Sequence, residues 1–208
     1  MLDNYYKDPF GVIHQRNIGE FTKDYASQYN DYGELSNYMG YLRYGYINGV
    51  IGQPKSLLDI GYGNGAFLKV CRASGIESYG YDISDAPVPV GCVKIQEDDI
   101  ANKYYDVITM FDSYEHFSDL EAIREFCCKW LVISVPNCDY PTPAHSDRWF
   151  SMWKHRRPDE HLHHFNKDSL KKYVEYGNKF EYIASSFVED VIRKGPDPNI
   201  LTMVFKRN

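Results

Sequence analysis

The sequence predicts an α/β fold, with a mostly parallel sheet of seven strands and helices on both faces. Three observations predict it. Apolar runs suited to buried strands recur at 55–60, 77–82, 91–95, 105–111, 129–135, 179–187 and 199–206. Helical spacing of apolar residues falls between several of them, near 64–74, 118–127 and 167–176, the last opening after Asn166 as an N-cap. The third observation is local: the run Leu57-Leu58-Asp59-Ile60 meets Gly61, Gly63 and Gly65 at alternate positions and then the helical stretch AFLKVCRA.

The chain divides into an N-terminal segment, residues 1–52, and the α/β unit, residues 53–208. The N-terminal segment is rich in tyrosine: Tyr5, Tyr6, Tyr25, Tyr29, Tyr32, Tyr38, Tyr41, Tyr44 and Tyr46. Such amphipathic rings either dock short helices onto the sheet or line a helical lid. Within the α/β unit, the first strand must turn at once into a helix. The three glycines allow positive φ there and remove the Cβ atoms that would hold a ligand away from the backbone.

After the second strand, Ser84-Asp85-Ala86-Pro87-Val88-Pro89-Val90 carries two prolines, which disfavours a full helix before the third. The stretch from Asp99 to Tyr104 is also too short for one before the fourth. The core is therefore trimmed after strands two and three, and its open face is expected to be covered by the N-terminal segment or by a second subunit, as in a homodimer.

The glycine loop alone leaves two cofactors open. Gly61-x-Gly63-x-x-Ala66 fits the loose dinucleotide fingerprint, with Asp82 near the place of the ribose-binding acid. The rest of the chain separates them. DIGYGNG resembles motif I of the S-adenosylmethionine (SAM) methyltransferases with a Rossmann-like fold. Tyr79-Gly80-Tyr81-Asp82 is similar to the end of that family's second strand, and Gln96-Glu97-Asp98-Asp99 to its adenine-side acid. Tyr105 to Phe117 (YDVITMFDSYEHF) is similar to its fourth strand and following loop. Glu160-His161-Leu162-His163-His164-Phe165 and the residues up to Leu170 resemble the "E-H-x-x-x-[FY]" segment of the subgroup that includes ubiquinone-biosynthesis O-methyltransferases.

The resemblance implies SAM as cofactor and S-adenosylhomocysteine (SAH) as its product. It assigns cofactor contacts to Gly61, Gly63, Gly65, Asp82, Asp98 and the strand edge at Phe111, Asp112 and Ser113. It also implies that the N-terminal segment folds over the cofactor, with Arg43 as the partner of the methionine carboxylate and Tyr29 and Tyr32 near the substrate. A guanidinium suits that carboxylate because the two pair as a planar fork. A dehydrogenase using NAD is disfavoured by the Glu115-His116 and 161–170 segments, while a SAM-binding regulator or partner subunit without turnover stays open.

The acceptor is placed in the long connection after the fifth strand, at the carboxyl edge where such sheets bind ligands. Trp149, Trp153 and Arg156 lie there, and Lys154, Arg156 and Arg157 suit an anionic acceptor. Methyl transfer to a hydroxyl requires proton removal, for which His116, His161 and His164 are the candidates. His161, His163 and His164 contain an H-x-H spacing, but without a matching cysteine or second histidine pair no metal site is expected. Oxygen of a small molecule, sugar or sugar nucleotide is the expected target. Nucleic-acid base methylation is disfavoured, since Asp112-Ser113-Tyr114-Glu115 stands where [DNS]-P-P-[YFW] or a Pro-Cys nucleophile would be required.

Composition agrees with one enzyme domain. The chain has 208 residues, 43% of them hydrophobic, and a formal net charge of −6, which argues against general adhesion to nucleic acid or anionic membrane. No apolar run reaches the roughly 18 residues of a membrane span, and a cytoplasmic location is expected. The five cysteines form no C-x-x-C pair, so reduced thiols that mostly fill the core are expected.

Overall fold

The computed structural model describes residues 3–19, 33–139, 146–193 and 198–208. The chain begins with β1 (Tyr5–Lys7), β2 (Ile13–Gln15) and α1 (Gly33–Ile51), followed by β3 (Ser56–Ile60), α2 (Ala66–Ala73), β4 (Glu77–Tyr81) and β5 (Val93–Lys94). It continues through β6 (Tyr105–Phe111), β7 (Cys128–Pro136), α3 (Ser146–Met152), β8 (His163–His164), α4 (Lys167–Glu175), β9 (Phe180–Ser186) and β10 (Ile200–Arg207). The central sheet has the order β5-β4-β3-β6-β7-β10-β9. Neighbours from β5 to β7 pair in parallel, and β10 runs antiparallel to both β7 and β9. Each strand expected from sequence is present, with small shifts at its ends.

Alternation along the strands divides the core in two. Leu58, Ile60, Ile108, Met110, Leu131, Ile133, Leu201 and Met203 face Leu170, Tyr173 and Val174 of α4. Leu57, Val107, Val132 and Val204 point the other way, onto Ile47 of α1 and Phe67, Leu68 and Cys71 of α2. A strand buried on both faces has to be apolar throughout, which is why β6 and β7 read as nearly continuous hydrophobic runs. All five cysteines are free; Cys71, Cys128 and Cys138 are buried.

The trimming after β4 and β5 is as the prolines dictate, since residues 82–92 form no helix and only the 3-10 turn Glu97–Asp99 precedes β6. The expected helix at 118–127 is corrected. The segment forms a 3-10 helix, Leu120–Arg124, whose Asp119 side chain accepts from the Glu121 backbone N–H at 2.8 Å. Its buried residues are Leu120, Ile123 and Phe126, every third position, which is the 3-10 period and not the 3.6 of an α-helix.

A small sheet was not foreseen. β1 and β2 form an antiparallel pair, and β2 continues onto β8 through Ile13 opposite His164. A bridge between Asn137 and Phe165 joins this layer to the end of β7. Two- and three-residue strands carry too little alternation to be seen in sequence.

The N-cap of α4 is found as expected. The Asn166 side chain accepts from Ser169 N–H at 2.9 Å, and the Ser169 hydroxyl accepts from Asn166 N–H at 2.9 Å. Asn166→Ala is therefore expected to lower unfolding free energy by about 1 kcal/mol. Urea denaturation would show this as a lower midpoint with an unchanged slope.

Candidate functional site

The order of the sheet reverses at β3, which has β4 on one side and β6 on the other, and a crevice opens above the carboxyl ends of such strands. The loop Gly61 to Gly65 forms one wall. Gly61 N–H donates to Tyr81 O at 2.7 Å, tying the loop to β4. Gly61, Gly63 and Gly65 all hold positive φ, at 79°, 56° and 74°. At Gly61 a Cβ would stand 2.6 Å from Ser113 Cβ, so the close passage of β3 past the end of β6 requires glycine. Gly65 faces Pro89 of the proline-rich connection.

A charged network forms the second wall. Glu189 is fully buried; its carboxylate accepts from Arg43 Nε and Nη2, both at 3.0 Å, and forms an ion pair with Arg193 Nε at 2.9 Å. Asp112 bridges the same two guanidiniums, with Arg43 Nη2 at 3.2 Å and Arg193 Nη1 at 3.1 Å. Asp112 has a positive φ of 51°, which turns its side chain back over the end of β6. Burial would raise the Asp112 carboxyl, but Arg193 and Arg43 hold it below its ordinary range. Arg43 also lies over the Phe111 ring, 4.2 Å from its centroid.

The third wall comes from the turn Tyr114–His116 and the loop before β8. Leu162 N–H donates to Glu115 O at 2.9 Å, and His116 Nδ1 lies 2.7 Å from Glu160 O, so the two segments are stitched together. The His116 and His161 rings stand edge to face, 4.7 Å apart. Burial lowers the pKa of both. That of His161 falls to about 2, with the neighbouring His116 and Arg157 acting in the same direction. Both are neutral imidazoles at neutral pH. Glu115 is 1% exposed, and burial, with Asp112 beside it, pushes its carboxyl well above the usual range.

These walls enclose a cavity of about 470 Å³, which is the size of a small-molecule site. Gly61, Gly63, Phe111, Asp112 and Arg43 line it, together with His116 and His161. Other expected residues lie elsewhere. Asp82 is buried behind the loop, where Oδ2 accepts from Gly63 N–H and Oδ1 from Ser84 N–H, both at 2.8 Å, and from the Ser84 hydroxyl at 2.6 Å. Asp98 is exposed in the 3-10 turn before β6.

Three acceptor-side residues and one candidate base do not line this cavity. Trp149 and Trp153 stack on one another at 5.3 Å and pack with Phe150 against Tyr5, away from the cavity. Arg156 lies over the Tyr5 ring at 5.8 Å in the same cluster. His164 is buried among Tyr5, Phe150 and Trp153. The apolar Tyr5 and Ile13 of the small sheet attract these aromatics, so the loop packs on itself. Tyr29 lies outside the described residues.

The family model described as "Methyltransferase domain" matches residues 40–178. The chain belongs to this methyltransferase family. Among curated relatives, a ubiquinone biosynthesis O-methyltransferase of Nitrosomonas europaea is 28% identical over 46% of this chain and 51% of its own length. One from Shewanella sp. (strain ANA-3) is 24% identical over 62% of this chain and 60% of its own. The chain thus spans about half of the first of these relatives and less than two thirds of the second.

Solved methyltransferases share the fold. The 1,6-didemethyltoxoflavin-N1-methyltransferase of Burkholderia thailandensis, crystallised with SAH, aligns over 99% of both chains with a TM-score of 0.59 at 13% identity. The magnesium protoporphyrin IX methyltransferase of Synechocystis PCC 6803 with bound SAH aligns over 91% of this chain and 90% of its own, with a TM-score of 0.56 at 13% identity. The seven-stranded, mostly parallel sheet of this chain is that Rossmann-like architecture. No helix among the described residues is long and apolar enough to cross a membrane.

Sequence reasoning missed Glu189 and Arg193, which fix Arg43 and Asp112, and gave Glu115 no role at the site. Glu115 carried a signal, the "E-H" pair itself. Glu189 and Arg193 carried only an i, i+4 acid–base spacing in an otherwise unremarked connection.

Proposed function

We propose that the protein is a SAM-dependent methyltransferase acting on an oxygen of a small molecule, sugar or sugar nucleotide. The observation that carries this reading is that one cavity joins the bare backbone of Gly61 to Asn64 to the polar wall of Glu115, His116 and His161. When bound, SAM supplies an electrophilic methyl group on a sulfonium. The glycine loop fits it, because Gly61, Tyr62, Gly63 and Asn64 line the cavity and the two glycines carry no side chain to fill it.

The protein's task is alignment, exclusion of water and removal of the acceptor's proton. The Asp82 carboxylate has roughly four acceptor positions, of which Gly63 and Ser84 take three, so about one is left for a ribose hydroxyl. Arg43 commits Nε and Nη2 to Glu189 and Asp112, so it would reach a methionine carboxylate through Nη1. His116 and His161 face the acceptor end as neutral imidazoles; His161, pushed down to about 2, is too weak a base to take the proton near neutral pH, which leaves that role to His116. Lys154 and Arg157 line the same cavity and favour an acceptor with an anionic group, such as the phosphates of a sugar nucleotide. The ubiquinone-biosynthesis, didemethyltoxoflavin and magnesium protoporphyrin IX acceptors belong to those relatives; what they share with this reading is a small organic acceptor.

Calorimetric titration with SAM, SAH and NAD tests the cofactor, and an acceptor panel with methyl-labelled SAM tests the chemistry by mass shift of the product. SAM and SAH are expected to bind with dissociation constants of about micromolar or below, a gain of about 8 kcal/mol, and NAD not to bind. Binding of NAD without SAM would overturn the reading.

A further inference from the structure

The antiparallel return of β10 brings its first residues to the ligand edge of the sheet. Ile200 pairs with Pro136 at the carboxyl end of β7, and Asn199, just before it, lines the cavity. Its backbone is fixed on both sides. Asn199 N–H donates to Asp190 Oδ2 at 2.8 Å, and Asn199 O accepts from Asn137 N–H at 2.9 Å. The residue is only 5% exposed, so its side-chain amide has to find partners for an acceptor oxygen and two N–H donors.

His155 takes the oxygen. Its Nε2 stands 2.8 Å from Asn199 Oδ1, and an amide oxygen only accepts, so Nε2 carries the ring proton. Burial lowers the His155 pKa and Lys154 acts in the same direction, against the Asn199 hydrogen bond, which keeps the ring neutral. With Oδ1 spent on His155, the amide has one orientation. Nδ2 is then left with neither a hydrogen-bond partner among the described residues nor a sealed position, and its two N–H groups are presented to the cavity.

Charge on the same wall is unbalanced in the positive sense. Arg43 and Arg193 pair with Asp112 and Glu189, and Arg157 pairs with Glu160 at 3.1 Å. Glu115, whose carboxyl burial pushes well above the usual range, offers no countercharge. Lys154 lines the cavity and has no ion pair among the described residues. We infer that Asn199 and Lys154 together bind an oxyanion of the methyl acceptor, a carboxylate or a phosphate, with His155 as the positioning residue that turns the Asn199 amide toward it. This rests on the methyltransferase reading and gives its acceptor end a specificity determinant. Both groups only donate, so a negative oxygen satisfies them at once, whereas a hydroxyl has a proton of its own to place. Hydrogen bonds to a charged partner are also the stronger kind. Asn199 carried no signal in sequence, because the histidine that orients it lies 44 residues away.

Titration of the full ¹⁵N-labelled chain, saturated with SAH, with sodium acetate, inorganic phosphate and sodium chloride at equal ionic strength tests the subsite. The expected result is a saturable shift of the Asn199 side-chain N–H signals with acetate, phosphate or both, and none with chloride. A response to acetate alone identifies a carboxylate subsite, and one to phosphate alone a phosphate subsite. Lys154→Gln and Asn199→Asp should each weaken the anion about tenfold or more, the latter followed on the Lys154 signals. His155→Leu, which frees the amide to rotate, should weaken it as well, and His155→Gln, which keeps an N–H donor, should recover part of the loss. Circular dichroism reports folding. Absence of a saturable shift in the folded parent overturns the subsite without recourse to any variant, as does an equal shift with chloride or an affinity unchanged in either folded variant, Lys154→Gln or Asn199→Asp. If SAH binds while the anions do not, the subsite is rejected and the methyltransferase reading stands; if SAH does not bind, that reading fails first.

Discussion

Glu189→Ala is expected to be among the most damaging single substitutions in this protein, lowering stability by about 3 to 5 kcal/mol. The carboxylate is completely buried, receives hydrogen bonds from Arg43, pairs ionically with Arg193, and accepts from the Ser134 hydroxyl at 3.0 Å. Removing it leaves two guanidiniums facing each other across Asp112 alone. The cost is that of the uncompensated charge, which exceeds what the intact pair contributes over an apolar replacement. Thermal denaturation should show a large drop in Tm, and Glu189→Gln, which keeps the volume and an acceptor oxygen, should recover part of it. A Tm within two degrees or so of the parent for Glu189→Ala would mean that the two arginines find other partners, and that Arg43 is not held in place by this network.

The sheet was legible in sequence because its evidence is repetitive. β3, β6, β7 and β10 each bury both faces, and such strands announce themselves as apolar runs between turn residues. The glycine loop was equally legible, since glycines at alternate positions after an apolar run signal left-handed backbone, which other residue types adopt only at a cost. What stayed hidden is contact between segments distant in sequence. Arg43 was singled out, yet its partners Asp112 and Glu189 lie 69 and 146 residues away. The two tryptophans of the 146–153 stretch looked like a platform for an acceptor, but aromatic area is also what a loop needs to bury itself, and Tyr5 and Phe150 were there to receive it. His161 and His164, three positions apart, diverge because β8 pairs His164 with β2 while His161 precedes that strand and turns to His116.

Gly61→Val should abolish measurable SAM binding, and the reasons are separable. A β-branched residue at a φ of 79° costs about 1 to 2 kcal/mol for the left-handed backbone alone. The Cβ would stand 2.6 Å from Ser113 Cβ, and Ser113 cannot withdraw freely, because its hydroxyl donates to Ile60 O at 2.7 Å within the same turn. Overpacking of this kind costs about 1 to 3 kcal/mol more. Relief requires moving the loop off β6, which displaces Gly63 and Asn64 from the cavity wall they form.

Gly52→Ala supplies the control, since Gly52 also has a positive φ, 76°, but a Cβ there meets nothing within 4 Å. It should cost only the backbone term and leave SAM affinity unchanged. Calorimetry on the two variants, with circular dichroism to confirm folding, separates strain from occlusion. If folded Gly61→Val binds SAM as the parent does, the cofactor lies against some other wall of the cavity. If Gly52→Ala loses affinity as well, the effect at Gly61 is one of general destabilisation and the loop is not specifically the cofactor's seat.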